Sequence, residues 1–137
     1  MPRFFNPPTV WKPFSAFSMG VVQGDGRIVH LKGQVPLDLK GDVVGPGDMH
    51  AQVRKTLENI RDTLAHVGGE IRDVISLTHY VTDIRGFMGT REVRESFFKP
   101  PYPVTTTIQV SAFFHRDIMI EITGIAEVPR ERFKEPA

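Results

Sequence analysis

The clearest pattern of apolar and polar positions lies between residues 48 and 69. Apolar side chains recur there at steps of four and three, which places them along one side of a helix of about five turns. They are Val53, Leu57, Ile60, Leu64 and Val67. Asp48 precedes them and predicts an N-cap, because its carboxylate can accept a hydrogen bond from a free amide of the first turn. Gly68-Gly69 predicts the end of the helix.

Shorter segments are rich in β-branched and aromatic residues or alternate between apolar and polar positions, and they predict strands. The glycines of Gly24-Asp25-Gly26 tolerate the backbone of a tight turn, so an antiparallel hairpin is predicted around them. The predicted strands cover residues 17–21, 28–31, 73–83, 105–110 and 118–128.

A second amphipathic helix is predicted over residues 87–98, ended by the proline-rich residues 100–103. Prolines also interrupt residues 1–13, which predicts an extended and irregular lead-in. Residues 130–137 show no helical or strand periodicity, and we expect them to form a tail. The chain of 137 residues is long enough for one domain, so residues 1–137 are expected to form a single unit.

The predicted order β-β-α-β-α-β-β indicates an α+β fold, with two helices covering one face of a mixed sheet. In the last strand Ile118, Ile120 and Ile122 point to one face, whereas Met119, Glu121 and Ile125 point to the other. The second face is therefore partly apolar. Because such a face is seldom left to water, we expect it to pack against another subunit and to form a cleft there.

Composition excludes several classes of protein. The chain has no cysteine, which excludes a disulfide scaffold, a thiol nucleophile and a cysteine-ligated zinc or iron–sulfur site. Its formal net charge is +1 and its charges alternate in sign, so we expect neither nucleic acid nor a membrane as partner. The N-terminus shows no signal-peptide pattern, and the expected location is cytoplasmic.

Few residues offer chemistry. The five histidines show no metal-ligand spacing, and no nucleotide-binding motif is present, so no metal and no cofactor are expected. Glu121 is the first catalytic candidate, since burial between apolar neighbours would raise its pKa towards the range of proton transfer. The position of Glu121 also fits a carboxylate that has no catalytic role and simply reaches water or an interfacial cation. The hydroxyls of Thr105-Thr106-Thr107 form a second candidate, although threonine is also a common strand residue.

An ordered set of segments resembles the RidA/YjgF family over about residues 12–128. The segments are Gly33-Gln34-Val35-Pro36, Gln52-Val53, Leu57-Glu58-Asn59-Ile60, Val74 through Asp83, Phe97-Phe98, Pro103, and Ile120-Glu121-Ile122 through Ile125-Ala126. The resemblance implies a chorismate-mutase-like homotrimer with clefts between subunits. It also implies hydrolysis of reactive enamines or imines to carbonyl compounds and ammonia.

The same resemblance implies roles for particular residues. Glu121 matches the glutamate that acts with water, Gly33 the glycine whose backbone lines the cleft, and Thr107 a strand position facing the substrate. Thr105 stands where the family has an arginine that clamps the substrate carboxylate, as in branches of the family that lack it. A hydroxyl cannot form that two-point ion pair.

Three further positions extend this comparison. Phe14 stands where many members have a tyrosine. Lys32 precedes the cleft glycine, and Arg91 falls near a cleft-lining position. Either cation would restore a positive charge to the substrate site, and each also fits an ordinary solvated side chain.

Three functions stay open from the sequence. The first is hydrolytic deamination of a small enamine or imine at Glu121. The second is a trimer that binds a small metabolite without changing it, which the loss of the arginine favours. The third is an endoribonuclease or translation inhibitor, an activity attributed to some family members, against which the near-neutral charge argues.

Overall fold

The helix predicted from the apolar pattern is α1, Met49–Ala65, in the computed structural model, which describes residues 1–137. The Asp48 carboxylate caps it by accepting a hydrogen bond from the Ala51 amide at 3.0 Å. Its apolar positions Val53, Leu57, Ile60 and Leu64 are buried. Gly68 follows with a φ of +80°, a conformation that favours glycine, and ends the helix as predicted.

Four strands form the main sheet, in the order β3, β6, β4, β5. Their bounds are β3 Arg27–Gln34, β4 Val74–Val81, β5 Val104–Gln109 and β6 Ile120–Val128. Strands β4 and β5 run parallel, whereas β6 is antiparallel to both of its neighbours, so the sheet is mixed as predicted. A single 3₁₀ turn, Ile71–Asp73, leads into β4.

The helices cover one face of this sheet. Besides α1 there are α2, Ile84–Met88, and α3, Arg91–Phe97, and their apolar side chains join those of β6 and β4 in one core. The α+β fold with helices on one face is confirmed. No helix has the length and apolar character needed to cross a bilayer.

The single helix predicted over residues 87–98 is divided at Gly89 and Thr90. The Thr90 hydroxyl donates to the Phe87 carbonyl at 2.6 Å, and the Gly89 amide donates to the Arg85 carbonyl. The hydroxyl of Thr90 thus bonds to the backbone at the junction, and α3 begins as a separate helix at Arg91.

The predicted hairpin between residues 17–21 and 28–31 is wrong. Strand β2, Gly20–Val22, pairs instead with β1, Arg3–Phe5, in a separate two-stranded sheet, so the lead-in is not wholly irregular either. Gly20 permits this pairing because the Phe5 ring occupies the place of a side chain there. The amides of Gly24 and Gly26 donate to the buried Glu127 carboxylate at 2.7 and 3.2 Å, which holds the turn against β6.

Residues 130–137 are not a free tail. The Arg132 guanidinium donates to the buried Asp73 carboxylate at 2.9 and 2.6 Å and to the Gly68 carbonyl at 3.0 Å. The hydrogen bonds with Asp73, together with the charges of Asp73, Glu70 and Glu131, raise the pKa of Arg132. The Lys134 amide adds a bond to Val67, so this segment is tied to the end of α1.

Candidate functional site

A cavity of about 230 Å³ opens between the N-terminal segment, strands β4 and β5, and the three helices. One side of it, which we call the aromatic wall, consists of Trp11, Phe14 and Phe17. Trp11 and Phe14 stack at 5.7 Å between ring centres, and Phe17 meets Phe14 edge-on at 5.4 Å. Because Trp11 and Phe14 stay more than half exposed, this wall borders the mouth of the cavity.

The floor of the cavity carries polar side chains of the two parallel strands. Thr105 lies beside Leu77 and Thr107 beside His79 in the sheet register. The Nδ1 atom of His79 and the hydroxyl of Thr107 are 3.0 Å apart. Burial, and then the charge of Arg94, lower the pKa of His79 from 6.5 to about 3. The imidazole is therefore neutral at physiological pH.

Arg94 of α3 supplies a cation to the cavity wall. Its guanidinium lies 4.4 Å above the centre of the Phe87 ring. Its Nε donates to the Thr90 hydroxyl at 3.3 Å, and Nη2 lies 3.5 and 3.4 Å from the carbonyl oxygens of Phe87 and Met88. Burial lowers the pKa of this group, the charge of Glu95 raises it and that of Arg91 lowers it.

Glu121 and Gly33 lie together on adjacent strands. The pairing of β3 with β6 shifts register between Leu31 and Gln34, and Gly33 falls in that irregularity. A Cβ on Gly33 would collide with the Glu121 carboxylate. The absence of a side chain at Gly33 therefore leaves room for the carboxylate, which is half-buried in a single chain.

These two parts of the predicted site lie on opposite faces of the sheet. Glu121 pairs with Tyr80, whereas Ile122, which is fully buried under the helices, pairs with His79. Neighbouring residues of a strand point to opposite faces. Thr105, Thr107 and the cavity thus face the helices, and Glu121 faces the other way, on what we call the open face. One chain does not bring Glu121 to the cavity.

Phe14 lies in the aromatic wall, but the two predicted cations lie outside the cavity. Lys32 is exposed, with Nζ 3.5 Å from the Gly33 carbonyl oxygen. Arg91 is exposed on α3 and pairs with Glu95 at 2.8 Å. No group of three or more His, Asp or Glu side chains is placed to hold a metal ion.

The sequence reading missed His79, Arg94 and the ring of Trp11. The available signal for Arg94 was the helical spacing: Arg94 precedes the buried Phe98 by four residues, which puts the two side chains on the same side of α3. His79 likewise shares the buried side of β4 with Leu77 and Val81.

The chain matches known proteins over most of its length. Residues 9–128 match the family model described as endoribonuclease L-PSP. A RutC family protein of Saccharolobus solfataricus is 35% identical over 116 residues, which is 85% of this chain and 90% of that protein. The 3-aminoacrylate deaminase RutC of Acinetobacter baylyi is 34% identical over 102 residues, covering 74% of this chain and 80% of that protein.

A solved structure agrees with the fold. YyfB of Yersinia pestis, a protein of the conserved Rid family, superposes with a TM-score of 0.83 at 29% identity, covering 93% of this chain and 98% of that one. Sequence and structure therefore agree, and the chain belongs to the RidA/YjgF family, whose family model is described as endoribonuclease L-PSP.

Proposed function

We propose that the protein hydrolyses a small enamine or imine to a carbonyl compound and ammonia, in clefts between the subunits of a homotrimer. The observation that carries the proposal is the Glu121 carboxylate placed over the bare backbone of Gly33. A half-buried carboxylate that forms no hydrogen bond or salt bridge within the chain suits the positioning and deprotonation of water. The likeness to a 3-aminoacrylate deaminase supports the class of reaction.

The two faces of the sheet support the assembly. Glu121 and Gly33 lie on the open face, whereas Phe14, Thr105 and Thr107 border the cavity on the helix side. A substrate that touches both sets needs the open face of one copy against the cavity mouth of another. Apolar side chains such as Ile108, which is 42% exposed, favour covering of the open face by another copy, because this removes apolar surface from water.

The proposed chemistry needs no group beyond the chain and water. In the imine form of the substrate, water adds to the carbon of the C=N bond while Glu121 takes the proton of the water. Glu121 returns this proton to the nitrogen, which gives a carbinolamine. It then carries the hydroxyl proton to the nitrogen, so that the C–N bond breaks, ammonia leaves and the carbonyl forms. Thr105 and Thr107 orient the substrate through their hydroxyls, and the backbone of Gly33 shapes the opposite wall.

Lys32 and Arg91 take lesser parts in this proposal. Lys32 adds positive charge beside Gly33, at the edge of the same cleft. Arg91 is held by Glu95 and reaches a substrate only when that exposed pair opens, which costs little because surface ion pairs contribute about 1 kcal/mol or less.

The test is an imine-hydrolysis assay on the purified protein. An amino-acid oxidase generates imines from a panel of amino acids, and semicarbazide traps those that are not hydrolysed. The wild type should suppress trapping. Glu121→Gln should lower hydrolysis by about 100-fold or more, because general acid–base groups contribute at least that much. Gly33→Ala should do the same by displacing the carboxylate.

Glu58→Gln, on α1 and outside the site, is the matched control and should keep full activity. If hydrolysis by Glu121→Gln equals that of the wild type, the role given to Glu121 is wrong. The second candidate function, a metabolite-binding trimer, is favoured by Thr105 in the clamp position. It would be supported if keto acids raise the melting temperature of a trimer that leaves every imine unchanged.

A further inference from the structure

Arg94 is a half-buried cation without an acidic partner. None of the salt bridges of the protein includes it. Glu95, the next residue in the chain, is engaged with Arg91 instead. Because a guanidinium stays charged in proteins, its removal from water is costly until an anion approaches it.

The guanidinium is held in place by hydrogen bonds that leave one of its nitrogen atoms, Nη1, without a partner. Its Nε and Nη2 atoms donate to oxygens of Thr90, Phe87 and Met88, at the junction of α2 and α3. Nη1 makes no hydrogen bond within the chain. These contacts fix the orientation of the planar group, and a guanidinium held in this way offers directed donors to a carboxylate.

Nothing else in the cavity competes for that cation. No acidic side chain lines the cavity, and its remaining polar groups are the neutral His79 and the hydroxyls of Ser15, Thr105 and Thr107. The cavity therefore carries one net positive charge beside groups that can donate further hydrogen bonds. That combination suits a carboxylate rather than an amine or a neutral sugar.

The rest of the cavity suits a flat apolar body. Trp11, Phe14 and Phe17 present ring faces and edges, and Leu57, Leu77 and Phe98 add apolar surface. An apolar cavity of about 150 Å³ is known to hold benzene. The volume of about 230 Å³ found here leaves room for such a ring together with a carboxylate arm.

We propose that Arg94 binds the carboxylate of the substrate and that the aromatic wall selects carboxylates carrying an aromatic or conjugated group. Arg94 then supplies the charge that Thr105 cannot supply. The inference about substrate rests on the proposed function, whereas the inference about binding can be measured without turnover.

Trp11 provides the measurement, because it is the one tryptophan of the chain and lies in the aromatic wall. Its fluorescence is titrated with phenylacetate, with the neutral phenylacetamide and with acetate. We expect phenylacetate to bind about tenfold or more tighter than either, since a charged hydrogen-bonded pair and a buried ring each add at least that factor.

Three variants separate the contributions. Arg94→Met should bind phenylacetate and phenylacetamide equally, whereas Arg94→Lys should keep part of the preference. Phe14→Ala should weaken phenylacetate and leave acetate unchanged. Arg85→Gln, which removes an exposed arginine of α2, is the matched control and should behave as the wild type. Circular dichroism verifies that each variant is folded.

The outcomes distinguish this inference from the proposed function. Equal binding of phenylacetate and phenylacetamide by the wild type, or a preference that survives in Arg94→Met, overturns the role of Arg94. Absence of phenylacetate binding, with hydrolysis of small imines intact, overturns the substrate class and leaves the deaminase function standing. Phenylacetate binding that depends on Arg94, without hydrolysis of any imine, overturns the deaminase function and leaves the role of Arg94 standing.

Discussion

At the scale of single residues, His79 has the most unusual surroundings. Its ring lies 4.8 Å from that of Phe87, its Nδ1 contacts the Thr107 hydroxyl, and only 5% of the residue is exposed. The guanidinium of Arg94 also lies over the Phe87 ring, and its charge opposes a second positive charge on His79. The folded protein therefore holds this imidazole neutral well below the pH at which a free histidine is protonated.

This environment predicts a loss of stability in acid. As the pH falls below 6.5, His79 binds a proton in the unfolded chain but not in the native one, whose pKa is about 3. The unfolding equilibrium should thus shift towards the unfolded chain by about tenfold per pH unit between those values. Urea unfolding at a series of pH values measures it.

His79→Asn keeps a hydrogen-bonding group beside Thr107 and removes the titration, so its stability should vary less with pH. His66→Asn, at an exposed position after α1, should retain the wild-type slope. Equal slopes for the wild type and His79→Asn would contradict the assignment of the acid sensitivity to His79.

Some residues of the candidate site stood out in the sequence, and others did not. Glu121 stood out because a carboxylate among isoleucines is costly to bury, and Gly33 followed from the family pattern. Arg94 did not stand out, because one unbroken helix was predicted there, whereas its guanidinium is held by oxygens at the junction of α2 and α3. Arg91, three residues away on the same helix, was one of the two cations predicted to lie near the cleft, the other being Lys32.

At the scale of elements, the side chain of Gln52 joins α1 to two loops. It is fully buried. Its Nε2 donates to the carbonyl oxygens of Gly45 and Asp117 at 3.3 and 2.7 Å, and its Oε1 accepts from the Met119 amide at 2.8 Å. The loop before α1 and the loop before β6 are thus held by one residue.

Gln52→Ala should therefore lower the free energy of unfolding by about 3 kcal/mol, because buried backbone groups would lose their partners. Urea unfolding at one protein concentration measures the change. Arg54→Ala, at an exposed position of the same helix, should change the value by about 0.5 kcal/mol or less. A loss in Gln52→Ala no larger than this would show that water satisfies those groups.

Elements defined by local pattern were predictable, and pairings over long distances were not. The α1 stripe and its caps depend on neighbours a few residues away, so they could be read directly. The hairpin failed because Glu127, more than a hundred residues further on, holds the amides of Gly24 and Gly26. No residue near the turn indicates that the Glu127 carboxylate will bind there.

At the scale of the whole molecule, the site that we propose between copies predicts complementation. Glu121→Gln should be inactive, and so should Thr105→Trp, whose ring fills the cavity. In trimers formed from an equal mixture, a site needs Glu121 from one copy and Thr105 from its neighbour. About a quarter of the sites meet both conditions, so about a quarter of the wild-type activity should return.

The measurement is hydrolysis by co-refolded chains, with light scattering to determine the mass of the assembly. Each variant refolded alone is the control. If verified mixed trimers show no activity, the site does not combine residues of two copies, and the assembly proposed here is contradicted.

The order of the strands also bears on how the protein is made. Strand β6 pairs with both β3 and β4, yet it is the last strand in chain order. During synthesis β3, β4 and β5 leave the ribosome before the strand that joins β3 to the other two exists. Until β6 is synthesised, the apolar faces and unpaired edges of these strands stay exposed, and the chain is most prone to aggregation. Slower translation before residue 120 would therefore prolong the vulnerable state rather than assist folding.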